Sequence, residues 1–226
     1  MSLRQSLILS SAFVATMVHN SLSVSAAPVI TSPAIVLQNT LGSSPLHPIA
    51  RIIDHSGLSV PFVSGVTDFD NYLAQAPLHS RFPSHEWSAS GATTTGIIDF
   101  DMGRAMLIDR TAIWNEEVTG VSSLNVFTSD DPSFGTSSLV GSFAVLDTTR
   151  DLDYVADVHL LVPTAVRYVR FEVLGAYADP LNKFVTKASL GEVAFSTTTV
   201  PEQSTFVYMS TGVLFAAGCV LRRRSH

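Results

Sequence analysis

Ala165-Val166-Arg167-Tyr168-Val169-Arg170-Phe171-Glu172-Val173-Leu174 decides the fold of this chain. Val169, Phe171 and Val173 recur two residues apart, with Arg170 and Glu172 between them, which is the period of a strand with one apolar and one polar face. Valine, tyrosine and phenylalanine suit a pleated, half-buried surface. Working outward, Tyr154, Ala156, Val158, Leu160 and Val162 alternate against Asp157 and His159, and Leu139, Gly141, Phe143 and Val145 alternate before them. Further runs are Thr95 to Phe100, Ala105 to Trp114 after an Asp101-Met102-Gly103 turn, Ser123 to Thr128 closed by Ser129-Asp130-Asp131-Pro132, and Gly191 to Phe195. Gly, Pro, Asp and Ser punctuate them, and helical periodicity is hard to find between Pro28 and Thr199. Seven or more short strands at this spacing predict an all-β sandwich or jelly roll. The stretch from Gly57 to Trp87, with Pro61, Pro77 and Pro83, reads as long loops with one short helix. Ser196-Thr197-Thr198-Thr199 reads as a polar linker.

The two ends read differently. Met1 to Ala27 has the layout of a secretory signal peptide: Arg4, an apolar run from Leu7 to Val18, and small residues before a cut after Ala26. From Ser204 to Leu221 there is no charge, and Arg222, Arg223 and Arg224 then stop the run. Eighteen helical residues span about 27 Å against a bilayer core of roughly 30 Å, so a transmembrane helix with a cytoplasmic basic tail is expected. The organisation is therefore a signal-peptide helix at 1–27, a β-sandwich at 28–196, a linker at 197–203 and a membrane helix with basic tail at 204–226.

The region between the ends carries nine Lys and Arg against eighteen Asp and Glu. That acidity repels phosphate backbones, so nucleic acid is excluded as a partner. The only cysteine, Cys219, lies in the apolar tail, so the exported domain has no disulfide and rests on its core, with or without a metal. Catalysis has little to stand on. There is no Gly-x-Ser-x-Gly and no His-Glu-x-x-His, and His47, His55, His79, His85 and His159 are scattered. Glu116-Glu117 is a carboxylate pair, but neighbours on a strand point to opposite faces and cannot flank one bond. A non-catalytic binder is the expectation. Arg81-Phe82-Pro83-Ser84-His85-Glu86-Trp87 gathers an aromatic face and hydroxyl-binding side chains within seven residues, which makes Arg81, His85 and Trp87 candidates for a sugar site. Trp87 equally fits the start of a strand that leads into the core, and Trp114, ending an alternating run, fits the core.

Two resemblances add to this. Pro201-Glu202-Gln203, the apolar helix and Arg222-Arg223-Arg224 resemble the PEP-CTERM sorting signal of exopolysaccharide-producing Gram-negative bacteria, with Gln203 in place of the second proline. This resemblance implies export through the Sec translocon, transit anchored in the inner membrane, processing by an exosortase near Pro201, and a final place on the cell surface or in the extracellular matrix. A plain membrane anchor is the alternative.

The second resemblance covers residues 45–196. Gly96 to Gly103, Ile108 to Glu116, Val126 to Asp131, Ala165 to Phe171 and Leu190 to Phe195 resemble, in order, the strands of discoidin-like (coagulation-factor type C) domains. It implies a galactose-binding-like jelly roll that binds carbohydrate, here extracellular polysaccharide, or acts in adhesion to proteins or to itself. It also implies one structural Ca²⁺, held by Asp54 in the Ile52 to Gly57 loop and by Glu192 in the last strand. Carboxylates and turn carbonyls supply the hard oxygens calcium requires. His55 stands where such domains usually carry a small residue.

Overall fold

The two strands expected on either side of Asp101-Met102-Gly103 are one. In the computed structural model, which describes residues 26–148, 152–181 and 183–198, a single strand runs from Gly96 to Asn115. Gly103 turns the chain inside that strand at φ 82°, a conformation glycine adopts without a Cβ penalty. In chain order the elements are β1 (Val29–Thr31), β2 (Ile35–Asn39), a 3-10 turn (Ile49–Ile53), α1 (Phe69–Leu73), β3 (Leu78–His79), a second 3-10 turn (Pro83–His85), β4 (Trp87–Ser88), β5 (Gly96–Asn115), β6 (Val121–Ser129), β7 (Ser138–Ala144), β8 (Tyr154–Val155), β9 (Asp157–Ala176) and β10 (Ser189–Thr198). The main sheet is ordered β1-β10-β5-β9-β6-β7, with β2 on β5 and β4 on β10, and its pairs are antiparallel.

One aromatic cluster shows that this sheet closes on itself. Phe195 on β10 lies opposite Thr111 of β5. Eleven residues of straight strand would hold Thr111 about 36 Å from Phe100. Yet the Phe195 and Phe100 rings are 6.2 Å apart, and Phe171 of β9 lies 5.9 Å from Phe195. Both long strands must therefore bend over, and the register breaks of β5 between Asp101 and Met106 and between Ile108 and Arg110 mark where they do. The expected sandwich is present, with a core that includes Trp87, Ile98, Phe100, Ile113, Phe171 and Phe195. Ion pairs knit β5 to β9: Arg170 grips buried Asp99 at 2.7 and 2.8 Å, and Arg167 grips Asp101 with two bonds of 2.9 Å.

The Gly57 to Trp87 stretch does contain one short helix. Asp68 caps α1 by accepting a bond from the Asn71 backbone N–H at 2.8 Å. Phe62, Phe69 and Tyr72 then form a second core with Trp114 and Ala194, on the outer face of β5 and β10.

Three expectations change. The linker drawn at 197–203 begins too early: β10 continues to Thr198, Ser196 and Thr197 are buried, and Thr197 Oγ1 bonds Thr31 Oγ1 at 2.7 Å across β1. Val158, Leu160 and Val162 alternate as read but face outward, with Leu160 80% exposed. The other face carries the contacts there, with the His159 ring stacked on Phe143 at 3.7 Å. Glu116 and Glu117 do not continue a strand, because β5 ends at Asn115 and a turn follows. Apart from Ala26 and Ala27, the signal peptide lies outside the described residues, as do the membrane helix and the sorting residues Pro201, Glu202, Gln203, Arg222, Arg223 and Arg224. Among the described residues no helix is long and apolar enough to cross a membrane.

Candidate functional site

A cavity of about 920 Å³ opens where the loops after β2, β5 and β9 meet the segment around β4. Ser189, the first residue of β10, lines it, whereas the far end of β10 pairs with β1. Ten strand residues, about 30 Å, separate the cavity from the sheet end where the described chain begins and stops. Phe82 and Phe184 line its mouth and are 63% and 58% exposed. Arg81 and Lys187 line it as well.

The floor is acidic and buried. Glu86, Glu116 and Glu117 each bring a carboxylate oxygen within 4.8 Å of the other two. The turn after β5 puts two of them there. Asn115 holds that turn by donating to the Val121 and Leu146 carbonyls at 3.0 and 2.9 Å. Glu116 Oε2 accepts from the Thr119 backbone N–H and from Thr119 Oγ1. Thr119 Oγ1 lies 3.2 Å from Ser189 Oγ, which ties the turn to β10. Glu86 reaches the floor because the chain is extended there and Trp87 takes the opposite side. The buried hydroxyl of Tyr154 donates to Glu86 Oε1 at 3.0 Å. Burial, and then the charges of Glu116 and Glu117, push the Glu86 carboxyl up to about 9. Burial raises Glu116 too. Among the described residues, no arginine or lysine forms an ion pair with Glu86 or Glu116.

A second acidic pair lies under the Ile49–Ile53 turn. Glu192 is fully buried, and its Oε2 accepts from the His55 backbone N–H at 2.8 Å while Oε1 has no partner. Burial pushes this carboxyl well above its usual range. Asp54 is engaged by Arg51 at 3.0 Å and by the Ser56 N–H at 2.9 Å. His55 holds φ 62°, a left-handed conformation uncommon for a side chain larger than glycine. Arg170 and Arg167 do not reach these acids, being paired with Asp99 and Asp101.

Of the three residues proposed from sequence for a sugar site, Arg81 reaches the cavity wall. His85 sits beside Phe82 without lining the cavity. Trp87 offers no ring face to a ligand. It is fully buried in the core, and its Nε1 donates to the Gly42 carbonyl and Ser43 Oγ at 3.1 Å. His79, one of the scattered histidines, also lies inside the protein. It is buried against Tyr154 at 5.2 Å, and burial lowers it to about 4. Sequence reasoning missed the Glu86, Glu116, Glu117 cluster. Its one visible signal is the placing of acids directly before a core tryptophan (Glu86-Trp87) and two residues after one (Trp114-Asn115-Glu116).

No protein-family model matches the sequence, and no curated protein matches it. Solved structures do. The CBM32-1 and CBM32-2 domains of Clostridium perfringens ZmpB in complex with GalNAc share 15% identity, over 74% of this chain and 35% of that chain, with a TM-score of 0.50. A longer Clostridium perfringens ZmpB structure, which adds an M60 catalytic domain, matches over 74% of this chain and 14% of its own, at 15% identity and a TM-score of 0.50. Chitosan-binding module 1 from a Paenibacillus sp. IK-5 chitosanase/glucanase shares 14% identity, over 75% of this chain and 92% of that module, with a TM-score of 0.41. At these identities the similarity speaks to fold. The chain shares the β-sandwich fold of these CBM32 domains.

Proposed function

We propose that this chain is a non-catalytic carbohydrate-binding protein that holds extracellular polysaccharide in the cavity at the loop end of its sandwich. The observation that carries this reading is the make-up of that cavity. Exposed Phe82 and Phe184 give flat apolar faces to a pyranose ring, while Arg81, Lys187, Ser44 and Ser90 give hydroxyl partners. Such a mix of apolar wall and few polar groups characterises small-ligand pockets of 300–1,000 Å³. The sandwich shared with carbohydrate-binding modules is consistent with it. On this reading the ends of the chain export it and anchor it for exosortase sorting to the cell surface. Affinity electrophoresis of the full chain in gels cast with soluble polysaccharides tests the binding. Retardation that is lost in Phe82→Ala supports the cavity; unretarded migration in every polysaccharide excludes it.

The proposal includes a calcium ion at Asp54 and Glu192. Glu192 Oε1, buried and without a partner, is the donor such an ion takes, and Asp54 supplies a second carboxylate from the turn above. A chelator is expected to lower the melting temperature, and an unchanged melting temperature excludes the ion.

A second reading, a structural or adhesive protein that binds itself, is favoured by one surface. Between Asp157 and Val166, β9 pairs with β5 alone among the described residues, and Val158, Leu160 and Val162 are exposed on that edge. Edges of this kind recruit further strands. Sedimentation of the full chain that stays monomeric at high concentration removes this reading.

A further inference from the structure

The cavity floor carries more acid than recognition of sugar hydroxyls requires. Glu86, Glu116 and Glu117 are 5%, 7% and 8% exposed, so the floor admits a small ion more readily than a sugar ring. Their oxygens lie within 4.8 Å of one another. Two oxygens bound at 2.3–2.6 Å to one calcium ion are at most about 5 Å apart, so this spacing fits one coordination sphere.

A second feature points into the same place. Ser88 lines the cavity, is 5% exposed, and its Oγ has no hydrogen-bond partner. A buried hydroxyl without a partner carries a desolvation cost that a ligand relieves. Trp87 turns into the core, so Glu86 and Ser88, two apart on extended chain, share the cavity side. Ser189, paired with Ser88 across β4 and β10, leads through Thr119 to Glu116.

We propose that Glu86, Glu116, Glu117 and Ser88 form a site for one hard divalent cation of calcium's class on the cavity floor. The site shares no residue with Asp54 and Glu192, and it stands apart from the glycan reading, since it needs no sugar. Three carboxylates and a hydroxyl supply four oxygens and leave coordination positions open toward the mouth. Other groups face Glu86 as well. Tyr154 donates to it from β8, and Lys187 acts on both Glu86 and Glu116 from the approach to β10. Arg81 and His47 line the same cavity.

The test is calorimetric titration of the full chain with calcium at pH 8. It is run in Asp54→Asn so that the turn above Glu192 contributes nothing. One ion is expected to bind, raising the melting temperature by about 5–10 °C at a hundredfold excess over Kd. Glu86→Gln and Glu117→Gln are expected to lower the affinity about tenfold or more. Glu86→Gln without cation is expected to melt no lower than its parent, so that lost binding reads as a lost ligand group rather than a lost fold. Magnesium and manganese are titrated in the same way. Failure of all three ions to bind, or undiminished binding in the Glu86→Gln, Glu117→Gln double variant, overturns the proposal. Should Asp54→Asn not fold, stoichiometry in the unmodified chain decides: one ion fewer in the double variant supports the site, and an unchanged number overturns it. Polysaccharide binding that persists while every cation fails would refute this site and leave the glycan reading standing.

Discussion

The two ends of β5 handle buried acid in opposite ways. Near its start, Asp99 and Asp101 are each gripped by an arginine of β9 through two bonds, in the planar fork geometry that guanidinium and carboxylate share. Just past its end, Glu116 joins Glu86 and Glu117, and what meets Glu86 and Glu116 is a tyrosine hydroxyl, a threonine hydroxyl and a backbone N–H. The first arrangement lowers Asp101, chiefly through its bond from Arg167, and keeps it charged. The second raises Glu86 through burial and like charge. A carboxylate with an arginine across the sheet is committed to strand pairing. A carboxylate held in a cavity against other carboxylates is available to whatever positive group enters.

The sharpest way to break this comparison is to strip the arginine from the first end. Arg170→Met leaves Asp99, which is 1% exposed, without its cation. Removing one partner of a buried pair costs about 3–5 kcal/mol, so urea denaturation is expected to show a loss of that size. The same type of surgery at the other end is expected to have the reverse sign. Glu86→Gln keeps the bond from Tyr154 and removes the need to hold a carboxyl protonated on folding, so at pH 8 without cation it is expected to raise the melting temperature. The sign follows from linkage. A carboxyl raised in the folded state contributes stability that is fully present below its unfolded value near 4.5 and is lost as pH rises toward about 9. Stability of the cation-free chain should therefore fall across that window, and the Glu86→Gln melting curve should fall less steeply. The smallest effect belongs to Asp101→Asn. Its Arg167 partner is 45% exposed, and an exposed pair is worth about 0.2–1 kcal/mol. A loss in Asp101→Asn as large as that in Arg170→Met would show that burial does not set the ranking.

How far the sequence carried this picture differs between the two ends. The alternation of Val169, Phe171 and Val173 against Arg170 is local, so strand, core face and polar face could be read from it. Which aspartate meets Arg170 is a matter of register between strands about seventy residues apart, and no local pattern encodes it. Period also names two faces without saying which is buried, and so Val158, Leu160 and Val162 point outward. The acidic cluster was hidden for another reason. Glu116-Glu117 reads as a continuing strand unless β5 is known to stop at Asn115, and Glu86 comes from a separate segment. Trp87 carries its own lesson: an aromatic among loop prolines packs inward when its indole N–H finds carbonyl and hydroxyl partners.

The claim that the loop end binds sugar is tested most directly by a glycan array probed with the full chain and with Phe184→Ala. The account expects binding to a defined subset of glycans, weakened throughout that subset in the variant. A blank array from a chain that associates with itself would contradict it and give the sandwich to adhesion.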